Sequence, residues 1–154
     1  MKETFEQAQN FLNAIFDGAG FELHATAVET ADGCLLDIDG ADAALLRSEG
    51  GELLDALEHL VIQSFARTLS QGERIVCDVH SFRAMRETEL RAMAHLAAER
   101  VRTSGVPFTF GPMNANERRI IHLALADTED LHTESVGEGN SRRLKVSFKG
   151  ANKQ

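Results

Sequence analysis

Residues 112–125 read PMNANERRIIHLAL, and residues 132–146 read HTESVGEGNSRRLKV. The first stretch predicts a helix, with Asn114 or Asn116 at its N-cap. Arg118 and His122 stand at i and i+4, so both side chains project from one face of it. Ile121, Ala124 and Leu125 occupy a different face and can anchor the helix to a core. The second stretch belongs to two strands, Leu131 to Val136 and Leu144 to Phe148, joined by the loop Gly137-Glu138-Gly139-Asn140. Arginine offers a charged fork of donors, and histidine a ring that donates a hydrogen bond or stacks on a base. An exposed Arg–His pair therefore suits phosphate contact, although an isolated R-x-x-x-H is more often a solvated helix face.

Outward from this pair, a helix is predicted at 82–103, with Leu90, Met93, Ala94, Ala97 and Val101 as its apolar stripe. Arg83, Arg86, Arg91, Arg100 and Arg102 lie largely off that stripe. Gly105 and Pro107 stop it. Phe108-Thr109-Phe110 follows as a short extended piece, its two rings read as core and not as a stacking platform. The first half opens with a helix at 5–17, capped by Thr4 and ended by Gly18 and Gly20. A strand at 21–29, a turn at Ala31-Asp32-Gly33 and a returning strand at 34–39 form a hairpin. Asp42 starts a short helical segment that Gly50-Gly51 breaks. A longer helix at 52–69 has Leu53, Leu54, Leu57, Leu60, Val61, Ser64 and Phe65 on its buried side, and a strand at 74–80 closes an α-β-β-α-α-β order. No linker separates the halves, which are expected to pack together.

Charge divides the chain as well. Residues 1–80 hold 4 Lys/Arg and 15 Asp/Glu, a net of −11; residues 81–154 hold 12 and 9, a net of +3. A polyanionic partner is therefore plausible only for the second half. From Ser141 to Gln154 there are Arg142, Arg143, Lys145, Lys149 and Lys153 and no acidic residue. Lys145 should share a strand face with Arg143. The 154 residues are 43% apolar and 26% charged, as in globular proteins. No run approaches the ~20 apolar residues of a membrane helix, so no membrane insertion is expected. The N-terminal MKETFEQAQNFLNAIF is too charged for a signal peptide. Only Cys34 and Cys77 are present, which leaves no disulfide framework and points to a reduced, cytoplasmic setting.

Taken together, the Arg118/His122 helix and Thr133, Ser135, Gly137, Glu138, Gly139 and Arg142, in the pattern T-x-S-x-G-E-G-x-x-R, resemble the R-three-H domain, a single-stranded nucleic-acid-binding module. The likeness covers about residues 82–148. The first half resembles a type II KH domain, with DAALLRSEGGELLDALEHLV in place of its helix, GXXG loop and following helix. The whole chain is then similar to the bacterial Jag/KhpB (SpoIIIJ-associated) family, and the additional N-terminal domain many members carry is not expected here. The resemblance implies an α+β protein with a KH-like domain over 1–80 and an R-three-H domain over 81–154.

One departure stands out. The GXXG positions are Ser48-Glu49-Gly50-Gly51. Ser48 adds a side chain where a nucleic-acid backbone would approach most closely, and Glu49 repels phosphate. Asp42, Glu52, Asp55 and Glu58 add negative charge. The KH-like half is thus expected to be a scaffold or a protein-contact surface; the alternative keeps binding through a rotated loop and Arg47. Glu138, inside a basic group, is expected to bond loop amides.

Other residues carry weaker signals. His24, His59, His80, His95 and His132 lack metal-ligand spacing. Cys34 and Cys77 lie in apolar strand runs, as small buried residues do. Asp37 and Asp39 alternate on a strand without a recognisable partner. No metal site, cofactor or enzyme activity is expected. The leading reading is non-catalytic binding of single-stranded nucleic acid, RNA ahead of DNA. Arg118 and His122 make the contacts, and Arg119, Arg142, Arg143 and Lys145 supply the positive field. The alternative is a protein-interaction module using the acidic half. A nuclease is the third reading, disfavoured because the carboxylates look dispersed.

Overall fold

The structure is a computed structural model that describes residues 1–150; Lys153 lies outside them. The chain divides into two compact units, Met1–Arg83 and Ala84–Gln154. Helix α4 (Phe82–Ser104) contributes Phe82 and Arg83 to the first and the remainder to the second.

The first unit begins with α1 (Glu3–Ala19), which buries Phe5, Ala8, Leu12 and Phe16 along one face. The helix starts earlier than expected, so Lys2 takes the cap position without a side-chain bond, and Thr4 is buried inside the first turn. Two acidic residues, Glu3 and Glu6, favour that first turn through the helix dipole. Gly18 lies within the helix; Gly20 alone ends it, in the left-handed conformation (φ 75°). Strands β1 (His24–Thr30) and β2 (Gly33–Asp39) pair antiparallel from His24↔Asp39 to Thr30↔Gly33. Strand β3 (Arg74–Asp78) runs parallel to β2, giving the order β1-β2-β3. Gly33 is required here: a Cβ on it would stand 2.0 Å from the Arg74 carbonyl oxygen.

The outer edge of β1 is answered by side chains of α1. The Asn13 amide donates to the Ala25 carbonyl (3.0 Å), and its oxygen accepts from the Ala25 N–H (2.7 Å). Gln9 accepts from the Ala27 N–H (2.8 Å). These bonds satisfy backbone groups that an open edge would leave exposed. Helices α2 (Ala43–Arg47) and α3 (Glu52–Phe65) complete the unit. The buried stripe of α3 is Leu54, Leu57 and Val61. Leu60 (47% exposed) and Ser64 fall beside that stripe and face solvent, contrary to expectation. Past Phe65 the chain tightens into a 3₁₀ turn over Ala66–Thr68, so α3 is shorter than predicted. Cys34 and Cys77 are both buried in this core.

In the second unit α4 buries Leu90, Ala94, Ala97, Ala98 and Val101. Strands β4 (Phe108–Thr109), β5 (Leu131–Val136) and β6 (Arg143–Phe148) form an antiparallel sheet in the order β4-β6-β5, with α5 (Ala115–Ala124) between β4 and β5 in sequence. The expected hairpin is therefore three-stranded, because the Phe108-Thr109 segment pairs with Val146 and Lys145. Phe108 and Phe110 pack edge to face, with centroids 5.0 Å apart, beside the core formed by Ile121, Leu125, Leu131, Leu144 and Val146. The chain is mixed α+β throughout.

Candidate nucleic-acid interface

Helix α5 is positioned from beneath by its own first turn. The Asn114 side chain accepts from the Glu117 N–H (2.9 Å), so of the two expected cap residues it is Asn114, and Asn116 lies within the helix. Glu117 itself is 4% exposed, and Arg86 Nε donates to its carboxylate at 2.7 Å. Arg86 also holds Glu89 (3.0 Å). Burial alone would lower the Arg86 pKa, but its hydrogen bonds to Glu117 and Glu89 raise it, so it stays charged. Together with buried Ile121 and Leu125 this pair fixes which face of α5 points away from the core.

The outward face carries Ala115, Arg118, Arg119 and His122, at spacings of three, four and seven. It forms one wall of a cleft of about 390 Å³ whose other side is Thr133, Glu134, Ser135 and Leu144. His122 Nδ1 and the Thr133 hydroxyl share a hydrogen bond across it. Arg118 Nε and Nη1 are buried with no hydrogen-bond partner among the described residues. Arg74, Arg83, Arg86, Arg91 and Arg102, by contrast, each pair with a carboxylate. Arg118 lines the cleft and makes no ion pair among the described residues.

The remaining predicted residues lie elsewhere. Pairing of Thr133 with Val146 and Ser135 with Leu144 places these four on the sheet face toward α5. Arg143 and Lys145 alternate with Leu144 and Val146, so they do share a face with each other, but it is the opposite one. Lys145 stands between Thr109 and Glu134 in the sheet register. Arg142 is exposed in the loop before β6, its carbonyl accepting from the Met113 N–H (3.1 Å). The cleft therefore gathers Arg118, Arg119 and His122, and not Arg142, Arg143 or Lys145. In the same loop the Glu138 main-chain carbonyl accepts from both the N–H and the hydroxyl of Ser141 (3.2 and 2.8 Å). The expected role of its carboxylate passes to its backbone. Sequence reasoning placed Thr133 and Ser135 in a motif but not in the site; their period-two spacing was the available signal. Leu144 and Glu134 left no such signal.

The glycine loop of the first unit differs. Glu49, Gly50 and Gly51 have φ of 54°, 66° and 87°, three successive left-handed residues. A side chain costs ~1 kcal/mol there, so Glu49 is held against its preference. Gly51 has no room for a Cβ, which would meet the Phe82 ring at 2.9 Å. The Ser48 hydroxyl turns back to the Ala44 carbonyl (3.2 Å). Following this loop, Asp55 and Glu58 both bind Arg83, at 2.6 and 3.1 Å, and Arg83 Nε donates to the Cys77 carbonyl (2.9 Å). Burial works against that guanidinium charge, but Asp55 and Glu58 raise its pKa. Asp39 does have a partner, His80 at 2.7 Å; this bond, then the Gly40 N–H, holds its carboxyl below the usual range. Burial pushes the Cys77 thiol up to about 12, which removes it as a nucleophile near neutral pH.

Among the described residues no group of three or more His, Cys, Asp or Glu is arranged to hold a metal ion. No helix among them is long and apolar enough to cross a membrane.

Comparison with known proteins bears on both units. The R-three-H domain family matches residues 88–148. The RNA-binding protein KhpB of Clostridium symbiosum is 30% identical over 156 residues, spanning 99% of this chain and 70% of that protein. The RNA-binding protein KhpB of Bacillus subtilis (strain 168) is 30% identical over 149 residues, 96% of this chain and 72% of that protein. That of Lactiplantibacillus plantarum is 27% identical over 114 residues, 74% and 35%. With likeness along nearly its whole length and an R-three-H domain in its second unit, the chain belongs to the KhpB family.

Proposed function

We propose that this protein binds single-stranded nucleic acid, RNA in preference to DNA, without catalysis, through the α5–β5 cleft. The observation that carries the reading is the Arg118 guanidinium, which lines the cleft one turn from His122 and makes no ion pair among the described residues. A guanidinium with no internal ion pair leaves its charge for a phosphate that enters the cleft, and a charge-assisted hydrogen bond contributes ~1.5–3 kcal/mol. Arg119 adds charge at the rim. Arg142, Arg143 and Lys145 act at longer range, as a field and not as cleft contacts. The names of the relatives, RNA-binding proteins, support RNA over DNA.

The first unit, in this reading, is a KH-like domain over residues 1–80, followed by the R-three-H domain over 81–154. Its element order, α-β-β-α-α-β, and the placement of the glycine loop between α2 and α3 support that assignment. The loop itself binds nucleic acid poorly, because Ser48 replaces a glycine and Glu49 adds a negative charge at the positions a GXXG loop offers to phosphate.

Anisotropy titration of a labelled single-stranded RNA tests the proposal, with matched DNA and a duplex as competitors. Micromolar affinity is expected, falling by ~0.7 log units per neutralised phosphate for each tenfold rise in salt. Replacing Arg118 and His122 together by Ala should abolish most of it. Unchanged affinity in that variant would sink the assignment. The second reading, a protein-interaction surface on the acidic first unit, is favoured by its net −11 over residues 1–80. A discrete protein partner that survives nuclease treatment would support it.

A further inference from the structure

The His122–Thr133 bond orients a ring that the proposed function places against the ligand. His122 is exposed on a helix, where an unrestrained imidazole samples several rotamers and both neutral tautomers. Thr133 lies on β5, the opposite wall, and its hydroxyl meets Nδ1. A hydroxyl both donates and accepts. When it donates to Nδ1, the neutral ring keeps its proton on Nε2; when it accepts from Nδ1–H of the protonated ring, Nε2 again carries a proton. Only the neutral ring protonated on Nδ1, which the hydroxyl can also accept from, would leave Nε2 bare and turn a lone pair toward an anion. Arg118 and Arg119, on the same wall, are donors as well.

We infer that Thr133 is a positioning residue: its hydroxyl fixes the His122 ring so that Nε2–H is presented as a donor to the cleft, matched to a phosphate or sugar oxygen. The inference rests on the cleft being the binding site, and it adds a residue on the sheet whose part is to hold a residue of the helix. Isoleucine or valine at 133 would fill the space and keep the β-strand, yet leave Nδ1 to water. The neutral ring would then divide between tautomers, and part of the population would present a lone pair to an anion.

The test combines binding with ring spectroscopy on the full chain. Thr133→Val is nearly isosteric, so fold and melting temperature should change little; Thr133→Ser restores the hydroxyl. Single-stranded RNA affinity should fall about three- to tenfold in Thr133→Val, as expected for losing one orientation-dependent hydrogen bond, and recover in Thr133→Ser. In a His122→Ala background, Thr133→Val should have no further effect. Long-range proton–nitrogen spectra of the free protein should show Nε2 protonated and Nδ1 bare in neutral His122, and a mixture in Thr133→Val. Wild-type-like binding and tautomer in Thr133→Val would overturn the inference while leaving the cleft intact. An equal loss with and without His122 would also overturn it. Absence of any RNA binding by the wild type would remove the proposed function and this role together.

Discussion

The α5–β5 cleft and the Ser48–Gly51 loop are two sites with opposite electrostatic fates. In the cleft the Arg118 guanidinium makes no ion pair among the described residues, and His122 is hydrogen-bonded to a threonine. Beyond the loop, two carboxylates close on Arg83, and the residue at the loop's crest is Glu49. Their backbones differ as well: a helix face against a strand in one, three successive left-handed residues in the other. Shape without an available cation is not enough to attract phosphate. What separates them is whether the arginine finds its counter-charge among the described residues, as Arg83 does and Arg118 does not.

What lies under the cleft should matter most. Arg86→Ala leaves the Glu117 carboxylate buried with its guanidinium removed, and breaking such a pair costs ~3–5 kcal/mol when fully buried. Arg86 is partly exposed, so roughly 2–3 kcal/mol is the better expectation. Chemical denaturation followed on the second unit should show it, and RNA affinity should fall with it as α5 loosens. Glu117→Gln/Arg86→Met together should cost less than Arg86→Ala alone. If Arg86→Ala were as stable as wild type, Glu117 would not be what seats α5.

Next in size is the cleft itself. Arg118→Ala/His122→Ala should lose about 10- to 100-fold in single-stranded RNA affinity, in line with charge-assisted hydrogen bonds of ~1.5–3 kcal/mol. Arg143→Ala/Lys145→Ala removes the same number of side chains on the opposite sheet face. It should cost only about two- to threefold and should lower the salt dependence. Equal losses from the two pairs would mean that the ligand uses both faces of the sheet, and the distinction between cleft and field would fail.

Much of this arrangement is legible in the sequence, and the reasons are local. The Asn114 cap, the Asp32-Gly33 hairpin and the strands at 131–136 and 143–148 rest on neighbours in sequence, where turn chemistry and period-two alternation act. The pairing of Arg118 with His122 needs only the helical repeat. The rest depends on contacts distant in the chain. That Arg143 and Lys145 face away from the helix follows from the β5–β6 register, which links residues through a six-residue turn region and onto α5. Arg83 reads as a surface residue of a long helix, but it is tied to Asp55, Glu58 and Cys77 of the first unit. Thr4 has a cap residue's chemistry, but its neighbours extend the helix past it. Leu60 matches an apolar stripe too wide for the surface α3 actually buries.

Restoring the loop's chemistry asks how far charge alone sets it apart from the cleft. Ser48→Gly/Glu49→Lys removes the side chain at the approach and replaces a repulsive charge by an attractive one. A modest gain is expected, about two- to fourfold in RNA affinity at low salt, vanishing at high salt. Because Glu49 sits at φ 54°, Glu49→Gly should stabilise the fold slightly and leave RNA binding almost unchanged. A large gain from the first variant would show that the loop is a silenced site and that charge alone silenced it. No gain would mean that the nearby Asp55 and Glu58, still present, set the local field.

A finer test asks whether the acidic first unit draws stability from its own pairs. Glu73 is held below the usual glutamate range, chiefly by its bond from Lys2 Nζ and then by the Ser70 N–H. A carboxyl depressed on folding stabilises the native state above its unfolded value, near ~4.3. That contribution is lost as pH falls through the lower, folded value. Glu73→Gln should therefore melt about a degree or two below wild type at neutral pH, the scale of an exposed ion pair. The gap should close on acidification below about pH 4 and narrow with added salt. The Arg118→Ala variant should show no such convergence, since Arg118 makes no ion pair among the described residues for acid to break. A gap for Glu73→Gln that persists at low pH would assign its role to packing and hydrogen bonding, and the first unit's charges would then be a surface for partners more than a source of its own stability.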